Sequence, residues 1–120
     1  MELKIEEFDK DIYAIKLSYE EEGGVKGWAL LYIISNERHA ESYAFLENVY
    51  IEQEYRQQGL GSKLVLAVIE EAKRRGCYKI IGTSRFPKEK VHDFYLKHGF
   101  VKWGYEFRLD LKESEIKQND

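Results

Sequence analysis

The sequence predicts an α+β domain: a mixed, largely antiparallel sheet with a central parallel strand pair and two main helices. Three observations carry this. Apolar residues recur with period two over Tyr13–Tyr19 and again over Trp103–Leu111, the mark of strands with one buried face. The period becomes helical at Gly61, after which Leu64, Val65, Val68, Ile69 and Ala72 form one stripe. That single helix joins the strand before Gly61 to one after Gly76, and a right-handed crossover makes those two strands parallel.

Taken in order, Leu3 and Ile5 suggest a weak first strand. Tyr13, Ile15, Leu17 and Tyr19 then alternate with Ala14, Lys16, Ser18 and Glu20, and Glu22-Gly23-Gly24 supplies turn chemistry. The return strand, Trp28–Ile34, is apolar on both parities, as expected of a strand covered on both faces. Asn36 to Glu41 makes a polar loop. Tyr43–Ile51 reads as an interior strand, interrupted only by Glu47 and Asn48, and polar interruptions of this kind often mark a bulge. In the first helix, Glu70 with Arg74 and Glu71 with Arg75 are i,i+4 pairs. Lys73 to Arg75 suit the negative helix end, and Gly76 can cap it. Tyr78–Ile81 follows as a short strand. Pro87 fits the first turn of a second helix with the stripe Val91, Phe94, Tyr95 and His98, ended by Gly99. Trp103, Tyr105, Phe107, Leu109 and Leu111 alternate with polar residues as a final half-buried strand. The expected organisation is one domain over residues 1–112 and a polar tail over 113–120.

Composition bounds the function. A chain of 120 residues, 43% apolar and 34% charged, fits one globular domain. At this size roughly 65% of the unfolded surface is buried on folding, so neither disulfide nor metal is needed as a staple. Cys77 has no cysteine to pair with, and no basic-then-apolar leader opens the chain, so a reducing, cytoplasmic setting is expected. No apolar run approaches the roughly 20 residues that span a bilayer. The net charge of −3 argues against a general nucleic-acid binder. Charge is unevenly spread: residues 1–22 carry eight acidic side chains against three lysines, and residues 73–90 carry seven basic ones against Glu89 alone. A polyanion would favour the second region and a cationic amine the first.

The most informative stretch is Leu46-Glu-Asn-Val-Tyr-Ile-Glu-Gln-Glu-Tyr-Arg-Gln-Gln-Gly-Leu-Gly61, a strand feeding a glycine turn that opens a helix. Gly59 and Gly61 let a ligand approach the backbone, and the helix start aims unsatisfied N–H groups and a positive dipole end at it. Arg56 adds a forked donor for phosphate oxygens. A Walker loop does not fit, because Ser62 precedes Lys63. The dinucleotide fingerprint does not fit either, because Leu64 stands where a third small residue belongs.

Arg56-Gln-Gln-Gly-Leu-Gly61, preceded by Leu46, Val49 and Ile51 and followed by Phe94-Tyr95-Leu-Lys-His-Gly-Phe100, resembles the GNAT superfamily of N-acetyltransferases over about residues 25–111. The resemblance implies acetyl-CoA as cosubstrate. Val49, Tyr50 and Ile51 would lie along its pantetheine arm, and Arg56, Gln57, Gln58, Gly59, Leu60, Gly61, Ser62 and Lys63 would hold its pyrophosphate. It implies direct transfer of the acetyl group to a primary amine through a tetrahedral intermediate, the oxyanion being met by the Val49 amide. Tyr95 matches the general acid that protonates the departing thiolate, although it also lies on the apolar stripe. Glu47 is the base candidate, because it interrupts an apolar strand, where burial tunes a carboxylate for proton abstraction. Asn48 would orient the amine or occupy a bulge.

His92 is expected to be structural. The histidines share no ligand spacing with Cys77, so no metal site is predicted, and Cys77 reads as a packing residue. The resemblance has gaps. The helices that usually separate the family's first strands find no counterpart in residues 1–35, so the acceptor pocket is expected to be abbreviated, completed by a partner subunit, or suited to a large acceptor such as a protein amine. Gln53 stands where proline is common, and the asparagine often found after the next strand is absent from Gly82-Thr-Ser-Arg85. A noncatalytic acyl-CoA sensor, perhaps a homodimer made by pairing the last strands, and an interaction domain that binds no cofactor stand as alternatives.

Overall fold

The expected hairpin forms in a computed structural model that describes residues 1–36 and 38–113. β1 (Ile12–Glu21) and β2 (Gly24–Ile34) pair antiparallel, from Ile12 opposite Ile34 to Glu21 opposite Gly24. β3 (Tyr43–Ile51) pairs antiparallel with β2, and β4 (Ile80–Gly82) pairs parallel with β3. The sheet order is β1-β2-β3-β4. α1 (Leu60–Arg74) makes the crossover between β3 and β4, and α2 (Glu89–Lys97) follows β4. The fold class and the central parallel pair are therefore those the sequence predicts.

The core forms where α1 lies on the sheet. Leu64, Val68 and Ala72 of the helical stripe meet Ala29, Leu31 and Ile33 of β2 and Ala44 and Leu46 of β3. The opposite face of β2, formed by Trp28, Leu30 and Tyr32, is only half-buried. The predicted cover on both faces is thus partial, since among the described residues both helices do not sandwich that strand. Gly27 is buried beneath the start of α1. A Cβ there would come within 2.8 Å of Ile51 Cδ1 and 3.2 Å of both Leu60 Cδ2 and Leu64 Cδ1, so a larger residue would force these side-chain ends to shift.

The polar pair in β3 is a β-bulge. Leu30 stands opposite Asn48 and Leu31 opposite Leu46, which leaves Glu47 as the extra residue. Ala44 and Leu46 face the core. An uninterrupted period of two would send Asn48 and Tyr50 after them, whereas the inserted residue puts Val49 and Ile51 against the core instead.

Several sequence expectations need correction. Residues 1–11 form no strand, and Leu3 and Ile5 are exposed; two apolar residues with acidic neighbours have too little to bury. Residues 103–111 also form no strand, and Trp103 and Phe107 are 93% and 92% exposed. Their alternation specifies a strand with one apolar face but not the chain that face is buried against. The short strand is shifted to Ile80–Gly82, because Tyr78 N–H bonds the Ser42 carbonyl before regular pairing begins. Pro87 precedes α2 rather than opening it, and Val91 points outward, so the inner face of α2 is Phe94, Tyr95 and His98. Glu71 takes both arginines, Arg74 at 2.5 Å and Arg75 at 2.6 Å, and Glu70 pairs with Lys73 instead of Arg74. Most of the predicted tail at 113–120 lies outside the described residues.

Candidate active site

β3 and β4 part company at one point. Their parallel register runs Ala44–Ile80, Phe45–Ile81 and Leu46–Gly82 and then stops, while β3 continues through Glu47 to Ile51. Beyond Leu46, that edge of β3 has no strand beside it among the described residues. An extended ligand carrying amides could satisfy such an edge as a strand does. Val49, Tyr50 and Ile51 lie on this stretch, where the sequence placed them.

Tyr95 closes the apex of the opening. A Cβ on Gly82 would lie 3.7 Å from Tyr95 Cζ and 3.8 Å from its hydroxyl, so the ring rests on the last residue of β4. Phe100, 5.1 Å from the Tyr95 ring, and Phe94 at 5.8 Å support it from both sides. Its phenol is pushed above the usual tyrosine range by burial, which keeps the hydroxyl protonated at neutral pH. Packing and proton donation are therefore compatible at this residue. Glu47 is exposed, at the bulge one residue past Leu46, so the burial expected of it is absent. A bulge turns the extra residue out of the regular pleat, which is why a carboxylate can interrupt an apolar strand here without being buried.

The turn after β3 builds the other end of the site. Gln53–Tyr55 form a 3-10 turn, Gln57 sits at φ +62° and Gly59 at φ +83°, and α1 starts at Leu60. The first bond within the helix runs from the Lys63 N–H to the Gly59 carbonyl at 3.1 Å. No side chain caps the N–H groups ahead of it, because the N-cap is glycine. A Cβ on Gly59 would meet nothing within 4 Å, so the approach to these donors is open. Gly61 differs, since its Cβ would point at Phe94, 3.6 Å from Cζ. That is an ordinary van der Waals distance, so Gly61 faces the α1–α2 contact.

The side chains of the turn are partly committed. Arg56 Nε donates to the Ile51 carbonyl at 2.8 Å, and its guanidinium lies over the Tyr50 ring at 5.6 Å, which ties the turn to the end of β3. Gln58 Nε2 donates to the Glu54 carbonyl at 2.9 Å. Ser62 is half-buried, and Lys63 is exposed at the edge of a cavity of about 210 Å³ that also includes Gln58, Leu60, Lys26, Glu20 and Glu21. Of this stretch, Gln58, Leu60 and Lys63 line the cavity, while Arg56 is turned to the end of β3.

Two features escaped the sequence reading. Gly27 beneath α1 carries a recognisable signal, because a glycine inside an apolar strand often marks a close backbone approach. Ser84 carried none. Its Oγ is buried without a hydrogen-bond partner, two residues beyond Gly82, and a buried hydroxyl left unpaired normally costs about 1–3 kcal/mol. The remaining candidates are structural. His92 Nε2 faces the Arg85 carbonyl at 2.9 Å, His98 Nδ1 faces the Phe94 carbonyl at 2.8 Å, and burial pushes the Cys77 thiol up, away from the reactive thiolate. No three His, Cys, Asp or Glu side chains gather as a metal site among the described residues. No helix among them is long and apolar enough to cross a membrane.

The β3–β4 pair thus parts beside a left-handed glycine at an uncapped helix start. The chain belongs to the GNAT acetyltransferase family, whose profile matches residues 2–100. It is 36% identical over 74 residues to a glucosamine 6-phosphate N-acetyltransferase of Trypanosoma brucei brucei, an alignment covering 62% of this chain and 48% of that protein. A structure from Agrobacterium tumefaciens assigned as an acetyltransferase superposes with a TM-score of 0.72 at 34% identity, covering 78% of this chain and 65% of that one. The chain thus spans about half the length of the curated relative and about two thirds of this structure. An aminoglycoside N-acetyltransferase in complex with CoA shares the fold, with a TM-score of 0.70 at 18% identity over 82% of this chain and 76% of that one.

Proposed function

We propose that this chain binds acetyl-CoA across the opening between β3 and β4 and transfers its acetyl group to a primary amine. The observation that carries the reading is the position of the Tyr95 hydroxyl over Gly82, where the two strands separate. Family membership and the CoA bound by a structural neighbour support the choice of cosubstrate. The residues present fit it. Open backbone donors at Leu60 to Ser62 suit the pyrophosphate, Lys63 adds a cation beside them, and the edge of β3 at Val49, ahead of the Ile51 carbonyl that Arg56 occupies, suits the pantetheine amides. The orphaned hydroxyl of Ser84 offers a further hydrogen bond near the reacting end.

The thioester supplies an activated acetyl group, and the chain's residues supply orientation and proton management. The amine nitrogen bonds to the carbonyl carbon as the carbon–sulfur bond breaks. The Val49 N–H stabilises the charge that develops on the carbonyl oxygen. Glu47, at the bulge, receives the proton lost by the amine, directly or through water. Tyr95 donates its hydroxyl proton to the departing sulfur and is reprotonated from solvent.

The acceptor class is an amino sugar or an amino-sugar phosphate, a reading supported by the trypanosomal relative's substrate. The test is release of free CoA thiol on a panel of amines containing glucosamine 6-phosphate, aminoglycosides, polyamines and lysine peptides. Turnover on the sugar amines is expected. Silence across the panel with intact acetyl-CoA binding would favour the sensor reading, and absence of binding would leave the interaction domain.

A further inference from the structure

The sheet face turned away from α1 carries an aromatic pair with a cation at each end. Trp28 of β2 stands opposite Tyr50 of β3, their rings 6.0 Å apart. Lys16 Nζ lies over the indole at 5.1 Å, and the Arg56 guanidinium lies over the phenol at 5.6 Å. Arg56 is held there by its bond to the Ile51 carbonyl, whereas Lys16 is exposed and has no ion pair among the described residues. Neither helix covers this face, because Leu64, Val68 and Ala72 of α1 and Tyr95 of α2 pack on the opposite one. The strand register ties the pair to the reacting end of β3. Lys16 stands opposite Leu30, and Leu30 opposite Asn48, so these three form one row across the sheet, with Glu47 of the bulge beside its end. Two interstrand spacings, about 10 Å, separate the ends of that row. Trp28 and Tyr50 lie in the next row, opposite Ser18. The face thus offers a cation on one side, a carboxylate on the other, and aromatic rings alongside both.

We propose that this face seats the acceptor as a phosphorylated amino sugar, with the C–H face of its ring on Trp28 and Tyr50, its phosphate at Lys16 and its amine at Glu47. A hexose carrying amine and phosphate on opposite sides of its ring has the order that the row requires. The ring supplies C–H groups to the aromatic faces, and the ammonium of Lys16 meets the phosphate as a point charge. A polyamine or an aminoglycoside would bring further positive charge against Lys16, so the same residue that favours a sugar phosphate disfavours a polycation. Arg56 acts one step removed, since it holds the Tyr50 ring in place. Acetyl-CoA at the α1 start and the acceptor on this face would then reach the β3 edge from opposite sides of the sheet. Lys16, Trp28 and Tyr50 are positioning residues in this scheme, which rests on the transfer to a sugar amine proposed above.

Trp103→Phe leaves Trp28 as the single tryptophan, so its emission reports the seat directly. With this variant saturated by CoA, glucosamine 6-phosphate and glucose 6-phosphate should each change the emission saturably, and inorganic phosphate at the same concentration should not. In turnover by the unaltered chain, KM for glucosamine 6-phosphate should lie about 10-fold below that for glucosamine, the order expected of one solvent-exposed contact to a charged group. Lys16→Ala should erase this preference and Lys16→Arg should restore it. Trp28→Leu should raise KM for both sugars, and Trp28→Tyr should recover most of the loss. The rise in unfolding temperature with acetyl-CoA should be the same in every variant, which separates loss of the seat from loss of the fold. Saturable sugar-phosphate binding without turnover on any amine would support the seat and contradict the reaction. An emission that responds to neither sugar phosphate, an equal response to inorganic phosphate, or a preference that survives Lys16→Ala overturns the proposal.

Discussion

Tyr95 decides between packing and chemistry more sharply than any other residue. Its ring is held by Phe94 and Phe100 whether or not its hydroxyl works, so Tyr95→Phe should leave the unfolding temperature nearly unchanged. Thiol release should nonetheless fall about 100-fold, the lower range for loss of a positioned acid; turnover equal to wild type would assign Tyr95 to packing alone. Ser84→Ala carries the opposite pair of signs. Removing an unpaired buried hydroxyl should stabilise the ligand-free chain by about 1 kcal/mol and weaken acetyl-CoA binding, both read from denaturation with and without ligand. Gly59→Ala tests the turn, because a side chain at φ +83° costs about 1–2 kcal/mol and disturbs the N–H groups after it. Gly61 is a poorer probe, since a bulky side chain there presses on Phe94 and alters the fold itself. Tyr95 and the glycine turn were legible because their residue types and order are distinctive. Ser84 was not, because hydrogen bonding depends on neighbours that a sequence does not display.

At the scale of elements, two local devices set the site. Gly27 lets Leu60 and Leu64 of α1 close on Ile51, so Gly27→Ala should cost about 1–3 kcal/mol through overpacking, measurable by urea unfolding. The bulge at Glu47 sets which β3 residues face the core, and because Glu47 is the extra residue, deleting it should restore regular pairing with Val49 and Ile51 still against the core, with a small change in unfolding temperature. Its position was readable from the polar interruption of an apolar run, but its exposure was not, since a bulge breaks the parity on which such readings depend. At the end of α1, hydrogen bonds from Arg74 first and Arg75 second hold Glu71 below the ordinary carboxylate range. Because its pKa is lowered in the folded state, the stabilisation is present above about pH 4.3 and is lost as pH falls through the lowered value. Glu71→Gln should flatten the acid side of the stability profile, recorded as unfolding temperature from pH 7 to pH 3.

Over the whole molecule, a four-stranded sheet, one crossover helix and a second helix converge on the place where a parallel pair opens. The order of elements and the parallel pair followed from hydrophobic period and crossover handedness. The terminal segments did not, because period two reports that a strand has an apolar face without naming its neighbour, and residues 101–111 form no strand in the described chain. The central claim is that acetyl-CoA occupies that opening. Thermal unfolding of the purified chain against increasing acetyl-CoA tests it most directly, since ligand at about 100 times its dissociation constant should add roughly 2.7 kcal/mol to native stability. A saturable rise that is reduced in Gly59→Ala is the expected result, and an unfolding temperature that does not move at millimolar acetyl-CoA would contradict the claim.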